Sequence, residues 1–391
     1  MYINRLVAII ALCSCFFVNA ATNSIQDQIQ LLHPSFEKPL SFNVSLPSGY
    51  ANNKKKSYIL MFDFHPNADT YLRGMHDWMS HNGEWPWLQT IIVTPAQGNR
   101  VGMLFDSSGK TTPLLDFFET QLLPEIDSKY RTNGFRIMSG FRSNGTLVLS
   151  TLINKPEMFD AYIAISPELQ DDYAGILSTA QSKLEKVKNT PKFLLFSHGT
   201  NIKEEHQLQS YGQLQALLSN HAPESLDWHY KHYEEYYFMS LPLVSVITGI
   251  EKLFDDINDG LPPESAISQQ GVDSIVRHYN YLSKQKYGFE VSPKTSINNL
   301  GFYLLENLPE KGIRVFKEMV KRYPTDAYSH HNLARAYAEI GDYDTAVKYQ
   351  SHAVKIADNM LTWHQKRHRR FLEEYTAKAN NTKSTKSLHT Q

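Results

Sequence analysis

Residues 139–145 read Ser-Gly-Phe-Arg-Ser-Asn-Gly, which places two hydroxyls, a permanent cation and two glycines within seven positions. A serine becomes a nucleophile only when a neighbouring base takes its proton. An arginine guanidinium stays protonated and offers a planar fork suited to carboxylate or phosphate. The run FRIMSG before the turn reads as a strand, and TLVLSTLIN after it reads as a helix closed by Lys155-Pro156. Strand, tight turn and helix is the geometry that presents a nucleophile, with glycines where a side chain would clash. The first turn of such a helix also carries unpaired N–H groups, which favour anions.

Histidines are the natural partners of such a turn, and the chain has 16. His229 and His232 lie on the predicted strand LDWHYKHY and read as strand residues, packed or exposed, rather than as a base. No spacing suggests a metal site. His330 and His331 are adjacent and so diverge around a helix, and the pair His364 and His368 lacks the carboxylate that a zinc protease needs. The basic run KRHRR at 366–370 reads as a solvated helix face. Tyrosines such as Tyr230, Tyr233, Tyr236 and Tyr237 are read as half-buried strand residues before they are read as a stacking platform. No metal or cofactor is expected.

The elements that position this turn alternate. SFNVSLP, SYILMFDF, TIIVTP, FRIMSG, AYIAISP, KFLLFS and LDWHYKHY read as strands, with helical stretches such as 114–130 between them. That order implies βαβ units and an α/β sandwich with the sheet in the middle. After Pro262-Pro263 the strand signal stops, and residues 264–376 read as helices. Within them Leu333, Ala334, Tyr337, Gly341, Tyr343, Ala346 and Ala353 fit the 34-residue tetratricopeptide template. A copy one period earlier contains Leu300, Tyr303, Gly312, Phe316, Met319 and Pro324. Gly312 and Ala346 are the small residues expected to let paired helices approach. Residues 377–391, rich in Lys, Thr, Asn and Ser, are expected to be disordered.

Composition limits what the chain does. With 39 basic and 40 acidic residues and a hydrophobic fraction of 41%, it is neither disordered nor a polyanion binder, so no nucleic-acid partner is expected. Arg5, the apolar run 6–18 and the small-residue site Val18-Asn19-Ala20 read as a signal peptide over residues 1–20. The apolar run is too short for a membrane span. The expected location is therefore secreted or periplasmic. Both cysteines, Cys13 and Cys15, would leave with the leader, excluding disulfides and cysteine nucleophiles. A lipoprotein reading at Cys13 or Cys15 is the alternative. Asn-x-Ser/Thr triplets begin at Asn43, Asn144 and Asn380, and the second lies inside the turn, where a glycan has no room.

The stretches SFNVSLPSGYANNKKKSYILMFDF, DFFETQLLPEIDSKYRTNGFRIMSG, NKPEMFDAYIAISPEL and LDWHYKHYEEYYFMSLPLVSVITGIEKLF resemble successive segments of an esterase family of α/β hydrolases. That family includes siderophore and feruloyl esterases, and one secreted branch carries a tetratricopeptide extension. The resemblance implies an α/β-hydrolase three-layer sandwich over residues 21–258, followed by an all-α tetratricopeptide-like domain over 264–376. The family turn reads Gly-His-Ser-x-Gly-Gly. Laid on it without gaps, Gly140 and Gly145 keep their glycines, Phe141 replaces the histidine and Arg142 stands at the nucleophile. In a register slipped by one, Ser143 is the nucleophile and Phe141 occupies a glycine position. The family's catalytic histidine aligns with Phe238, and its acid falls in HGTNIKEEH, with Asn201, Glu204 and Glu205 nearby.

Two functions therefore stand open. One is an esterase-like protein with a degenerate triad at Arg142 and Phe238, whose cleft binds a ligand and whose helical tail docks a peptide or protein. There, Arg142 and the turn beside Ser143 would hold a small anion, or Arg142 would pair with a nearby carboxylate and plug the cleft. The other is an active carboxylic-ester hydrolase using Ser143.

Overall fold

The computed structural model describes residues 25–34, 38–80, 86–96, 114–185, 187 and 190–388. The leader read at residues 1–20 lies outside them. Eight strands form one sheet: β1 (Ile25–Leu31), β2 (Leu40–Leu46), β3 (Tyr58–Asp63), β4 (Thr90–Pro95), β5 (Thr132–Phe141), β6 (Ala161–Ile165), β7 (Lys192–Gly199) and β8 (Leu226–Tyr233). Their order is β1-β2-β4-β3-β5-β6-β7-β8. From β4 to β8 neighbours run parallel, while β2 joins β4, and β1 joins β2, in antiparallel register. Every residue of β3, β4, β6 and β7 is buried. Strands covered on both faces are apolar along most of their length, which is why the central parts of these runs are continuous rather than alternating.

Helices cover both faces. On one side α2 (residues 114–129, including a π-helical turn at Phe118–Leu122), α3 (Ser143–Asn154), α4 (Ile176–Leu184) and α5 (Leu208–His221) pack through Phe118, Leu147, Leu152, Ile176 and Leu214 onto Leu60, Phe62 and Leu194. On the other, α1 (Ala68–Met79) and α6 (Leu241–Leu253) pack through Leu72, Val246 and Ile250 onto Met61, Ile163 and Leu195. The result is the expected three-layer α/β sandwich. β1 was not read from sequence. Its polar Gln26, Asp27 and Gln28 face solvent, as an edge strand permits.

The second core continues past the sheet. Ile275, Tyr279, Leu300 and Phe316 belong to the same buried cluster as Val246 and Ile250. They come from α7 (Val272–Tyr281), α8 (Lys294–Asn307) and α9 (Pro309–Arg322). The α8–α9 hairpin is followed by α10 (Ala327–Glu339), α11 (Tyr343–Ile356) and α12 (Thr362–Leu388). Asp326 and Asp342 cap α10 and α11 by accepting from the N–H of Ser329 and Thr345. Gly312 has the role expected of it, since a Cβ there would stand 2.8 Å from the Leu305 nitrogen. Ala346 is fully buried.

Two expectations are corrected here. Residues 377–388 are not a disordered tail but the continuation of α12. Tyr375 and Ala379 are buried, and Lys378 pairs with Glu374 one turn back at 2.8 Å, so the helix is docked as far as Ala379. The run 366–370 is likewise not solvated throughout. His368 is fully buried against Tyr328 and His331 of α10, while its basic neighbours stay exposed.

Candidate active site

The turn between β5 and α3 has Arg142 at its apex, with φ 58° and ψ −124°, a backbone conformation that L-residues avoid. The flanking glycines show why the register is fixed. A Cβ on Gly140 would lie 2.3 Å from the Asn144 carbonyl oxygen, and one on Gly145 would lie 2.7 Å from that of Ile165. Arg142, rather than Ser143, is the residue at that apex. Ser143 is the first residue of α3, and both Arg142 and Ser143 line a cleft of about 680 Å³.

The Arg142 side chain turns to Glu168, in the loop after β6. Nε and Nη2 donate to one carboxylate oxygen, Oε1, at 3.0 and 2.6 Å. The Thr146 hydroxyl holds that loop in place by donating to the Glu168 carbonyl at 2.8 Å. Of the two sequence expectations for Arg142, the structure therefore places its guanidinium in the ion pair. Phe238 opens the short helical turn before α6. Its ring lies 4.8 Å from that of Phe141 and 5.6 Å from the Arg142 guanidinium carbon. The two positions that the resemblance paired as nucleophile and base thus meet in space, occupied by an arginine and a phenylalanine.

The other sequence candidates stand apart. Glu204 is buried, with Oε1 accepting from Ser166 Oγ at 2.5 Å and Gly199 N at 3.0 Å, and Oε2 accepting from Asn201 Nδ2 at 2.5 Å. Those bonds fasten the loop after β7 and leave the carboxylate engaged. Glu205 is exposed. On β8, His229 pairs with Asp227 at 3.0 Å and His232 packs on His198, and neither lines the cleft. Asn144 is buried, so its glycosylation triplet is closed in the fold. Among the described residues no group of three or more His, Cys, Asp or Glu side chains is arranged to hold a metal.

Several cleft residues escaped sequence reading, among them His65, Tyr71, Lys203 and, most deeply buried, Asp63. Asp63, at the end of β3, is 1% exposed. Its Oδ2 accepts from Ser139 Oγ at 2.6 Å, while no hydrogen bond of ordinary geometry reaches Oδ1. Burial pushes its pKa up to about 7, and hydrogen bonding from Ser139, with looser approaches of the His65 N–H and the Tyr71 hydroxyl, pulls the other way. The only signal in the sequence was a carboxylate closing an otherwise apolar run, Tyr-Ile-Leu-Met-Phe-Asp.

A sheet of this topology, with a strained strand-to-helix apex over a cleft, defines the α/β-hydrolase class. Residues 34–221 match the family described as Putative esterase, and residues 315–348 match the tetratricopeptide repeat. The α/β unit of this chain is thus similar to that esterase family. An IroE-like serine hydrolase from Shewanella oneidensis is similar in structure at 21% identity, over 72% of this chain and 94% of that one, with a TM-score of 0.56. An uncharacterised protein from Capnocytophaga ochracea aligns over 90% of this chain and 100% of its own at 15% identity, TM-score 0.58. These likenesses concern the fold. No curated protein is significantly similar in sequence.

Proposed function

We propose that this is an exported, non-hydrolytic member of the esterase family, which binds a small ligand in the cleft below Arg142 and engages a peptide or protein through its helical repeats. One observation carries the reading: Arg142 occupies the strained apex, and Phe238 faces it. A guanidinium is never a nucleophile at ordinary pH, and a phenyl ring takes no proton, so the pair lacks both halves of an activated serine. Ser143 is a hydroxyl in the same cleft; among the described residues His65 is the one histidine in its lining, and its Nδ1 accepts from the Asn67 N–H. The ligand we infer is uncharged rather than anionic, because two donors of Arg142 are committed to Glu168 and the remaining lining includes Phe141, Phe238, Met239, Pro242 and Leu243. Export rests on the leader read at residues 1–20, and docking on the tetratricopeptide match.

The test is chemical. The purified protein is incubated with a fluorophosphonate probe and with short-chain nitrophenyl esters. No labelling and no turnover above buffer are expected. Labelling that disappears in Ser143→Ala would establish the hydrolase reading instead.

A further inference from the structure

We propose that Asp63 is the recognition group of the cleft: its unpaired Oδ1 donates a hydrogen bond to a carbonyl oxygen of an uncharged ligand whose apolar body lies against Phe141, Phe238 and Met239. This rests on the reading of the cleft as a ligand site and names the chemistry that the site selects.

The first support is geometric. A buried carboxyl oxygen without a partner is rare, because removing it from water without compensation is costly. Asp63 Oδ1 is such an atom, and Asp63 lines the cleft. The second support is the position of the proton. Ser139 Oγ engages Oδ2, and in the proposed protonated form the carboxyl hydrogen is placed on Oδ1, which no hydrogen bond of ordinary geometry reaches. Burial favours that protonated form up to about neutral pH. A ligand acceptor would then satisfy the orphaned group, and a ligand lacking one would leave it unpaired.

The surroundings fit an uncharged guest. Tyr71, on α1, approaches the same carboxyl, and burial together with Asp63 holds its hydroxyl well above the ordinary pKa, so it stays neutral. His65, in the loop after β3, is held below its usual value by burial. The formal charges of the lining are Asp63 itself, Arg142 at the apex, Glu168 after β6 and Lys203 after β7, with Arg142 and Glu168 paired.

The experiment titrates the full chain with N-methylbenzamide, which carries a carbonyl acceptor, and with ethylbenzene, which does not, following the Met239 methyl by NMR. Wild type is compared with Asp63→Asn, whose amide supplies a donor at any pH, and with Leu243→Trp, which fills the cleft. Between about pH 6 and about pH 8, N-methylbenzamide should weaken about tenfold on wild type, as a group titrating near neutrality loses its proton. Ethylbenzene should not change, and Asp63→Asn at the higher pH should bind the amide as wild type does at the lower. Amide binding that ignores pH in wild type, or that keeps its pH dependence in Asp63→Asn, overturns the role of Asp63 and leaves the cleft reading standing. Absence of binding by both probes, or binding that persists in Leu243→Trp, overturns both.

Discussion

Arg142 and Glu168 meet through two N–H donors and a single carboxylate oxygen, at 3.0 and 2.6 Å, across the apex of the β5–α3 turn. Their side chains keep 43% and 28% exposure, so the pair is partly solvated and contributes modestly, within about 1 kcal/mol. The backbone beneath it is the stronger energetic feature. Arg142→Ala should therefore change stability by less than about 1 kcal/mol, because alanine keeps the positive φ. Arg142→Gly should be more stable than Arg142→Ala by about 1 kcal/mol, since glycine adopts such a conformation without a Cβ penalty. Denaturant unfolding of both variants measures the difference, and equal midpoints would show that the apex is unstrained.

Glycines with and without room behave oppositely. Gly145→Ala drives a Cβ to 2.7 Å from the Ile165 oxygen, and Gly312→Ala drives one to 2.8 Å from the Leu305 nitrogen. Each should destabilise by roughly 1–3 kcal/mol, as overpacking does. Gly74, inside α1, has nothing within 4 Å of its would-be Cβ. Gly74→Ala should stabilise by about 0.5–1 kcal/mol. Thermal melts of the three variants provide the comparison.

Placing a serine and a histidine at the two proposed triad positions is a direct test of the apex. Arg142→Ser with Phe238→His should gain fluorophosphonate labelling that wild type lacks, because the turn geometry is already in place. Labelling should stay slow. Glu204, the buried carboxylate of the loop after β7, is engaged by Ser166, Gly199 and Asn201 and is not free to orient an imidazole. Labelling rates with and without Phe238→His separate the two contributions.

The seam between α10 and α12 should respond to acid. His368 is fully buried with neither ring nitrogen hydrogen-bonded, and burial first, then the neighbouring His331, Arg367 and His364, lower its pKa to about 4. An unfolded chain binds that proton near pH 6.5, so between about 6.5 and 4 the unfolded state holds more protons. The stabilising contribution is complete above the upper limit and declines as pH falls through the window, by on the order of 3 kcal/mol in all. His368→Leu should flatten this part of the stability–pH curve relative to wild type. Parallel curves for the two proteins would exclude His368 as the source.

The helical extension should not be separable from the sheet. Tyr279 and Tyr287 donate their hydroxyls to the carbonyls of Asp256 and Leu253 at 2.6 and 2.8 Å, and Phe135, Phe254, Tyr287 and Phe289 form one aromatic cluster. Removing residues 264–391 strips that cover from α6. The truncated protein should be insoluble or lose cooperative unfolding, whereas the full chain should unfold in one calorimetric transition.

What the sequence disclosed follows from burial. Strands covered on both faces, such as β3 and β7, announce themselves as continuous apolar runs. β1 does not, because one face is wet and its Gln and Asp residues resemble a loop. The tight turn was legible from Gly140 and Gly145, where a Cβ would meet backbone at 2.3 and 2.7 Å. Asp63 was not, for its meaning depends on Ser139, 76 residues further on, which only the pairing of β3 with β5 brings alongside. His368 hid for the opposite reason. Its basic neighbours are solvated, and only the fit of α12 on Tyr328 and His331 turns one residue of that run inward.

Among the described residues the sheet ends in β8, whose outer edge pairs with no further strand. An open edge of this kind is a template on which another chain could add in register and grow an aggregate. Here Asp227 and Lys231 stand exposed along it, two charges of opposite sign on a short strand. An incoming identical strand would bring these charges close to its own, which disfavours pairing along this edge.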